Sequence, residues 1–174
     1  KKKFSKKAKF FLGDMQNFNL YKKFQFIFIG FNSFLHNLTD ESAKECLKCV
    51  FKHLKKNGTF LISAFIPDPS FLFGLNNSFK PASSKFEFEG SQCQIMEKNK
   101  YNNLTQVNNI TWRIKKNNKI TSQEYNFKMR MFYPHIMDIL LSDAGFKIDS
   151  KIGNYDGSPM DDESNMQIYI CRKN

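Results

Sequence analysis

The stretch that most constrains this fold is residues 24–66, where two nearly continuous apolar runs, FQFIFI at 24–29 and TFLISAFI at 59–66, flank an amphipathic segment. Short runs rich in aromatic and β-branched residues suit strands covered on both faces, as in a parallel sheet. Between them Ala43, Cys46, Leu47, Val50, Phe51 and Leu54 recur at three-and-four spacing and make one helical stripe. Thr39 can cap this helix, with Asp40 and Glu41 in its first turn. Lys52, Lys55 and Lys56 would occupy the last turn, and Gly58 is placed for a left-handed stop. The spacing therefore predicts a helix over 40–57 and a right-handed strand–helix–strand crossover. Pro67-Asp68-Pro69 ends the second strand, because proline cannot donate to a ladder.

The rest of the chain is read around that unit. Residues 8–12 (AKFFL) form a further predicted strand. From 84 to 132 the period changes to two: Phe86 and Phe88 alternate with glutamates, Ile110, Trp112 and Ile114 with Thr111 and Arg113, and Tyr125, Phe127, Met129 and Met131 with polar residues. Asn117-Asn118 suits a tight hairpin turn. This segment reads as an antiparallel unit with one wet face, inserted over the strand ends, where it closes a pocket or pairs two subunits into a homodimer. Pro134 then opens a helix over 134–144 that Gly145 ends, and 147–152 and 166–172 read as closing strands. The strands at 8–12, 24–29, 59–66, 147–152 and 166–172 are expected in one sheet.

With 174 residues, 41% of them hydrophobic, the chain fits one domain, 1–174, carrying an insertion at about 84–132. No apolar run reaches the ~18 residues needed to cross a bilayer, and the lysine-rich start is not followed by a signal-peptide core. A cytoplasmic protein without a membrane partner is expected. Cys46 and Cys49 form a C-x-x-C, but neither Cys93 nor Cys171 has a Cys or His close by to complete a zinc set, so no metal is expected. The net charge of +11 is spread among asparagines and phenylalanines, with dense lysines only at 1–9 and 52–56. That distribution reads as a solvated basic surface rather than a nucleic-acid footprint.

Both predicted strands of the N-terminal part end in small polar clusters, Gly13-Asp14-Met15 and Gly30-Phe31-Asn32-Ser33. Open α/β sheets bind ligands in the crevice beyond the carboxyl ends of their strands. No zinc set, nucleophile elbow or phosphate-cradling loop accompanies them. The expected site is apolar and aromatic with a few polar fixing groups.

The order "FFLGDMQNFNLYKKFQFIFIGFNSFLHNL", a helix, "HLKKNGTFLISAFIPDP", an antiparallel excursion and "FYPHIMDILLSDAGFKIDSKIGNYDGSPM" resembles the C-terminal two thirds of class I S-adenosylmethionine-dependent methyltransferases, in particular small-molecule N-methyltransferases of the amino-sugar and glycine/sarcosine type. The resemblance implies a Rossmann-like α/β sheet, mostly parallel with a C-terminal antiparallel strand, its N-terminal part missing. It implies S-adenosylmethionine as cofactor and methyl transfer to a small-molecule acceptor, at nitrogen.

For residues, the resemblance implies that Asp14 accepts from the adenine amino group and that Met15 packs on the ring. It places the loop from Gly30 through Phe31, Asn32 and Ser33 to His36 beside the methionine part of the cofactor. His36 becomes the candidate catalytic base, and Phe34, Tyr133 and Tyr155 candidate substrate walls. Each has a plainer reading: Asp14 as a turn former, Asn32 and Ser33 as partners of loop backbone, His36 as a helix-entry contact. Trp112 and the methionines read as hairpin core.

The family's opening strand, its glycine-rich turn and the following acidic residue are absent, since the glycines stand isolated at 13, 30, 58, 74, 90, 145, 153 and 157. The expected explanation is an ordered remainder of a longer protein; a fragment completed by another chain and a degenerate relative are the rivals. The competing functions are an RNA or cap methyltransferase and a non-catalytic interaction module.

Overall fold

A computed structural model describes residues 8–74 and 78–173; the first seven residues of the lysine-rich start lie outside the described residues. The chain runs through β1 (Phe24–Ile29), a short 3-10 turn (Ser33–His36), α1 (Asp40–His53), β2 (Leu54–Phe65) and α2 (Pro69–Phe73). Six strands follow: β3 (Lys80–Pro81), β4 (Phe86–Phe88), β5 (Ser91–Asn102), β6 (Val107–Lys116), β7 (Lys119–Ile120) and β8 (Tyr125–Arg130). Then come α3 (Pro134–Asp143), β9 (Phe146–Ile152) and β10 (Met166–Lys173).

The crossover expected from 24–66 is present, with β1 and β2 pairing in parallel on either side of α1. Thr39 accepts from the Ser42 backbone N–H, and the Ser42 hydroxyl oxygen accepts from the Thr39 N–H, so two orphan donors of the helix start are satisfied reciprocally. The stripe Ala43, Cys46, Leu47 and Val50 is buried, as are Met137, Leu140 and Leu141 of α3. These residues pack with Phe60, Ile62 and Tyr169 in one core.

The first sheet has the order β1-β2-β10-β9; β10 runs antiparallel to both neighbours, so β1, β2 and β9 share one direction and only the C-terminal strand is reversed. Three expectations are corrected. Residues 8–12 form no strand; Phe10, Phe11 and Leu12 are exposed, and β1 has a ladder partner only in β2 among the described residues. The first helix stops at His53 rather than 57, so Lys55 and Lys56 lie in β2. Leu54 pairs with Phe24 and Thr59 with Phe26, so 55–58 bulge out of the ladder. Gly58 is no left-handed stop, since the positive φ, 59°, belongs to Asn57. Glycine is needed at 58 for close approach: a Cβ there would stand 2.8 Å from Leu54 Cγ and 2.8 Å from the Lys55 carbonyl oxygen.

The second sheet spans 80–130 and is antiparallel throughout, with β5 and β6 at its centre. Asn117 and Asn118 have φ of 45° and 67°, the left-handed pair that a two-residue hairpin requires. Ile110 and Met129 of this sheet join the core of the α/β body, so its apolar face closes over that body. Phe86, Phe88 and Tyr125 remain exposed on it.

Candidate functional site

The site is built where β1 ends. Phe31 and Asn32 both take left-handed backbone, φ 52° and 61°, and Phe31 is 89% exposed. A bulky aromatic in that conformation is an outlier that the surroundings must hold in place. Asn32 Oδ1 accepts from the backbone N–H of Phe65 at 2.9 Å, tying the carboxyl end of β1 to that of β2. The chain then folds back into the 3-10 turn, which places Phe34 in the core and leaves His36 at the surface.

A cavity of about 500 Å³ opens at these strand ends. Phe31, Asn32 and Phe65 line it from the α/β body, together with Phe71 and Leu72 of α2. The second sheet supplies the opposite wall with Trp112, Phe127 and Met129 and with a polar row, Glu97, Asn99 and Asn108. Trp112 Nε1–H donates to Glu97 Oε2 at 2.6 Å, and Asn99 Nδ2 donates to Glu97 Oε1 at 2.7 Å. Asn108 Nδ2 donates in turn to Asn99 Oδ1 at 2.8 Å. A carboxylate accepts only, so Glu97 fixes which way the Asn99 amide points, and Asn99 fixes Asn108. The row ends in Asn108 Oδ1, which is buried without a partner among the described residues.

His36 lines the same cavity, and its Nδ1 donates to the Lys128 carbonyl at 2.9 Å. A carbonyl can only accept, so Nδ1 carries the hydrogen and Nε2 the lone pair of the neutral ring.

The residues singled out from the sequence are not brought to one place. Phe31, Asn32 and His36 line the cavity. Asp14 and Met15 belong instead to an open groove of about 590 Å³ formed by residues 11–20. There Asp14 Oδ1 accepts from the Gln16 N–H at 2.9 Å, while Oδ2 has no hydrogen bond among the described residues. Met15 Sδ accepts from Asn37 Nδ2 at 3.3 Å. Gly30 and Ser33 close the loop, with the Ser33 N–H donating to the Gly30 carbonyl at 3.1 Å.

The three candidate substrate walls are not among the residues that line this cavity. Phe34 is 0% exposed and packs on Phe132 in the core, with ring centroids 5.2 Å apart. Tyr133 is the N-cap residue of α3, outside the cavity lining. Tyr155 is 66% exposed, also outside the lining, and its hydroxyl lies 3.1 Å from Ser63 Oγ. Conversely, Trp112 and Met129, read as hairpin core, do pack there but also face the cavity. Glu97, Asn99 and Asn108 were missed. Their available signal was parity: Asn108 stands on the same strand face as Ile110 and Trp112, and these two pair with Asn99 and Glu97 in the β5–β6 register.

No family model and no curated protein matches the sequence. Solved structures do match the fold. The chain is similar to the CcbJ methyltransferase from Streptomyces caelestis, with a TM-score of 0.75 and 18% identity over 94% of this chain and 66% of that one. It is similar to an S-adenosylmethionine-dependent methyltransferase from Clostridium acetobutylicum, TM-score 0.72, 16% identity, over 92% of this chain and 63% of that one. A third likeness is to the S-adenosylmethionine-bound CalS10, an amino pentose methyltransferase from Micromonospora echinaspora, TM-score 0.68, 13% identity, over 93% of this chain and 63% of that one. The chain thus spans just under two thirds of the length of these proteins. Its fold is that of the class I S-adenosylmethionine-dependent methyltransferases.

Proposed function

We propose that the protein transfers a methyl group from S-adenosylmethionine to a nitrogen of a small-molecule acceptor. The observation that carries this reading is the conjunction of the methyltransferase fold with a cavity at the carboxyl ends of its parallel strand pair, walled by the second sheet. The likeness to an amino pentose methyltransferase supports nitrogen as the acceptor.

The residues present fit one end of such a cofactor. Asp14 Oδ2 is uncommitted beside open space at Gly13, where an added Cβ would meet nothing within 4 Å. Asp14 would accept from the adenine amino group, Met15 would pack on the ring, and Phe31, Asn32 and the Gly30–Ser33 loop would bound the methionine end. When bound, the cofactor supplies a methyl group on a sulfonium that already carries the charge of the leaving group. The chain's own task is then to align a neutral nitrogen and to exclude water. The aromatic walls of the cavity do the second, and the polar row does the first. His36 Nε2 takes the proton that the nitrogen sheds on gaining the methyl group, its tautomer held by the Lys128 carbonyl.

The test is release of S-adenosylhomocysteine by the full-length protein against a panel of primary amines and matched alcohols. Turnover with amines is expected; turnover with neither, in protein that binds the cofactor, would refute methyl transfer to small molecules.

A further inference from the structure

Glu97 is a charge without a counter-ion. Its partly buried carboxylate takes part in no ion pair among the described residues, in a chain whose net charge is +11. Six other carboxylates, those of Asp40, Glu45, Glu124, Asp138, Asp143 and Asp149, are each paired with a lysine or arginine. A partly desolvated carboxylate without a cation is ordinarily neutralised or paired. Here the cavity wall holds it as it is: Trp112 and Asn99 each donate one hydrogen bond, one to each oxygen, leaving further lone pairs on both.

The rest of the cavity has the same sign. Among the described residues its lining contains a second carboxylate, Asp68, and no lysine or arginine. Asp68 Oδ1 is occupied by the Ser70 N–H at 2.8 Å, which caps α2. The same cavity is lined by the aromatic side chains of Trp112, Phe127, Phe65, Phe71 and Phe31, and the faces of such rings attract cations. The row behind Glu97 ends in a buried acceptor, Asn108 Oδ1, that nothing in the described residues satisfies, although Asn108 is only 3% exposed. A wall selected for stability alone would not retain such a group; an apolar residue there would remove the penalty. Carboxylate, aromatic faces and an acceptor-rich wall together complement a ligand that brings both positive charge and N–H donors.

We propose that Glu97 is the counter-ion for an amino group of the acceptor, a primary or secondary amine that is protonated on arrival and releases one proton to solvent before its lone pair takes the methyl group, with Trp112 and Asn99 as the positioning residues that aim its carboxylate. This rests on the methyl-transfer reading for the ligand's role as acceptor, but not for its binding. An anionic acceptor such as a phosphodiester finds no lysine or arginine in this cavity among the described residues.

Trp112 is the sole tryptophan of the chain, so its indole N–H is a single reporter bonded to the group in question. The full chain, without cofactor, is titrated with cyclohexylamine and separately with cyclohexanol, which matches its ring and lacks its charge. Cyclohexylamine is expected to move the Trp112 indole resonance saturably, and cyclohexanol to bind at least about tenfold more weakly. In Glu97→Gln, amine affinity falls roughly ten- to a hundredfold, the range for a hydrogen bond to a charged group, while the weak alcohol affinity is unchanged. Equal binding of amine and alcohol, or an amine affinity indifferent to Glu97→Gln, would overturn the proposal, and so would the absence of saturable binding, which leaves the row facing water. Should Glu97→Gln fail to fold, the amine–alcohol comparison in the unaltered protein decides alone. A parallel titration with S-adenosylhomocysteine separates the two readings, because amine binding without cofactor binding defeats methyl transfer and leaves the amine site standing.

Discussion

Asn32 Oδ1 accepts the backbone N–H of Phe65 at 2.9 Å, and this bond joins the ends of the two parallel strands at the mouth of the cavity. It explains why asparagine follows Phe31 at a left-handed position: the residue tolerates φ of 61° and its short amide reaches the next strand. Asn32→Ala should lower stability by about 1–3 kcal/mol through the unmatched N–H, with a further penalty from the backbone. Asn32→Gly keeps the backbone free and isolates the hydrogen bond. Urea denaturation should rank the two with glycine the milder; the opposite order would show that the left-handed backbone at 32 carries no penalty for a side chain.

His36 gives a kinetic prediction. With Nδ1 committed to Lys128, only Nε2 is left to take a proton, so His36→Gln should lower kcat by about a hundredfold, the lower range for a general base, with KM little changed. A variant with unaltered kcat would reduce His36 to a contact between the 3-10 turn and β8.

Gly58 and Gly13 make a matched pair. An alanine Cβ at 58 would meet Leu54 and a backbone carbonyl, whereas at 13 it would meet nothing. Gly58→Ala should cost about 1–3 kcal/mol, the range for overpacking, and Gly13→Ala should stay within about 0.5 kcal/mol in the same denaturation experiment. Equal effects would remove the close-approach explanation for the bulge.

The thiols carry a pH prediction. Burial pushes Cys46 and Cys171 up to about 12, from an ordinary value near 9, and raises the Tyr169 hydroxyl as well. Groups that keep their protons more tightly when folded favour the folded state below the unfolded value, and that contribution is lost as pH rises through the folded one. The melting temperature should therefore fall as pH climbs from about 9 toward 12. In mildly alkaline buffer a thiol reagent should modify Cys49, which is not buried, ahead of the other three. Rapid labelling of Cys46 in the native protein would contradict the packing of α1.

Much of this architecture was legible because local signals agreed with the fold. The strand at 24–29, the Thr39 cap, the Asn117-Asn118 turn and Pro134 at the start of α3 are where the sequence put them, although the strand is not covered on both faces as expected, since Phe26 and Phe28 are exposed. Residues 54–58 illustrate the failure: leucine and lysine favour helix, and pairing of Leu54 with Phe24 overrides that preference. Residues 8–12 have a strand's composition without a ladder partner among the described residues, which composition cannot reveal. The polar row was hidden because glutamate and asparagine in an alternating strand look like a wet face. Only the register of β5 against β6 and the packing of Ile110 show that this face turns inward.

The central claim, that the protein works on S-adenosylmethionine, is tested most directly by isothermal titration of the full-length protein with S-adenosylhomocysteine, beside Asp14→Ala. The account predicts saturable binding that weakens about ten- to a hundredfold in the variant, the loss expected for one hydrogen bond to a charged group. The melting temperature of the unliganded variant should stay nearly unchanged, because Asp14 is exposed and bonds only within its own turn. Equal affinity in both would leave Asp14 a turn residue, and no binding by cooperatively folding protein would contradict the methyltransferase reading itself.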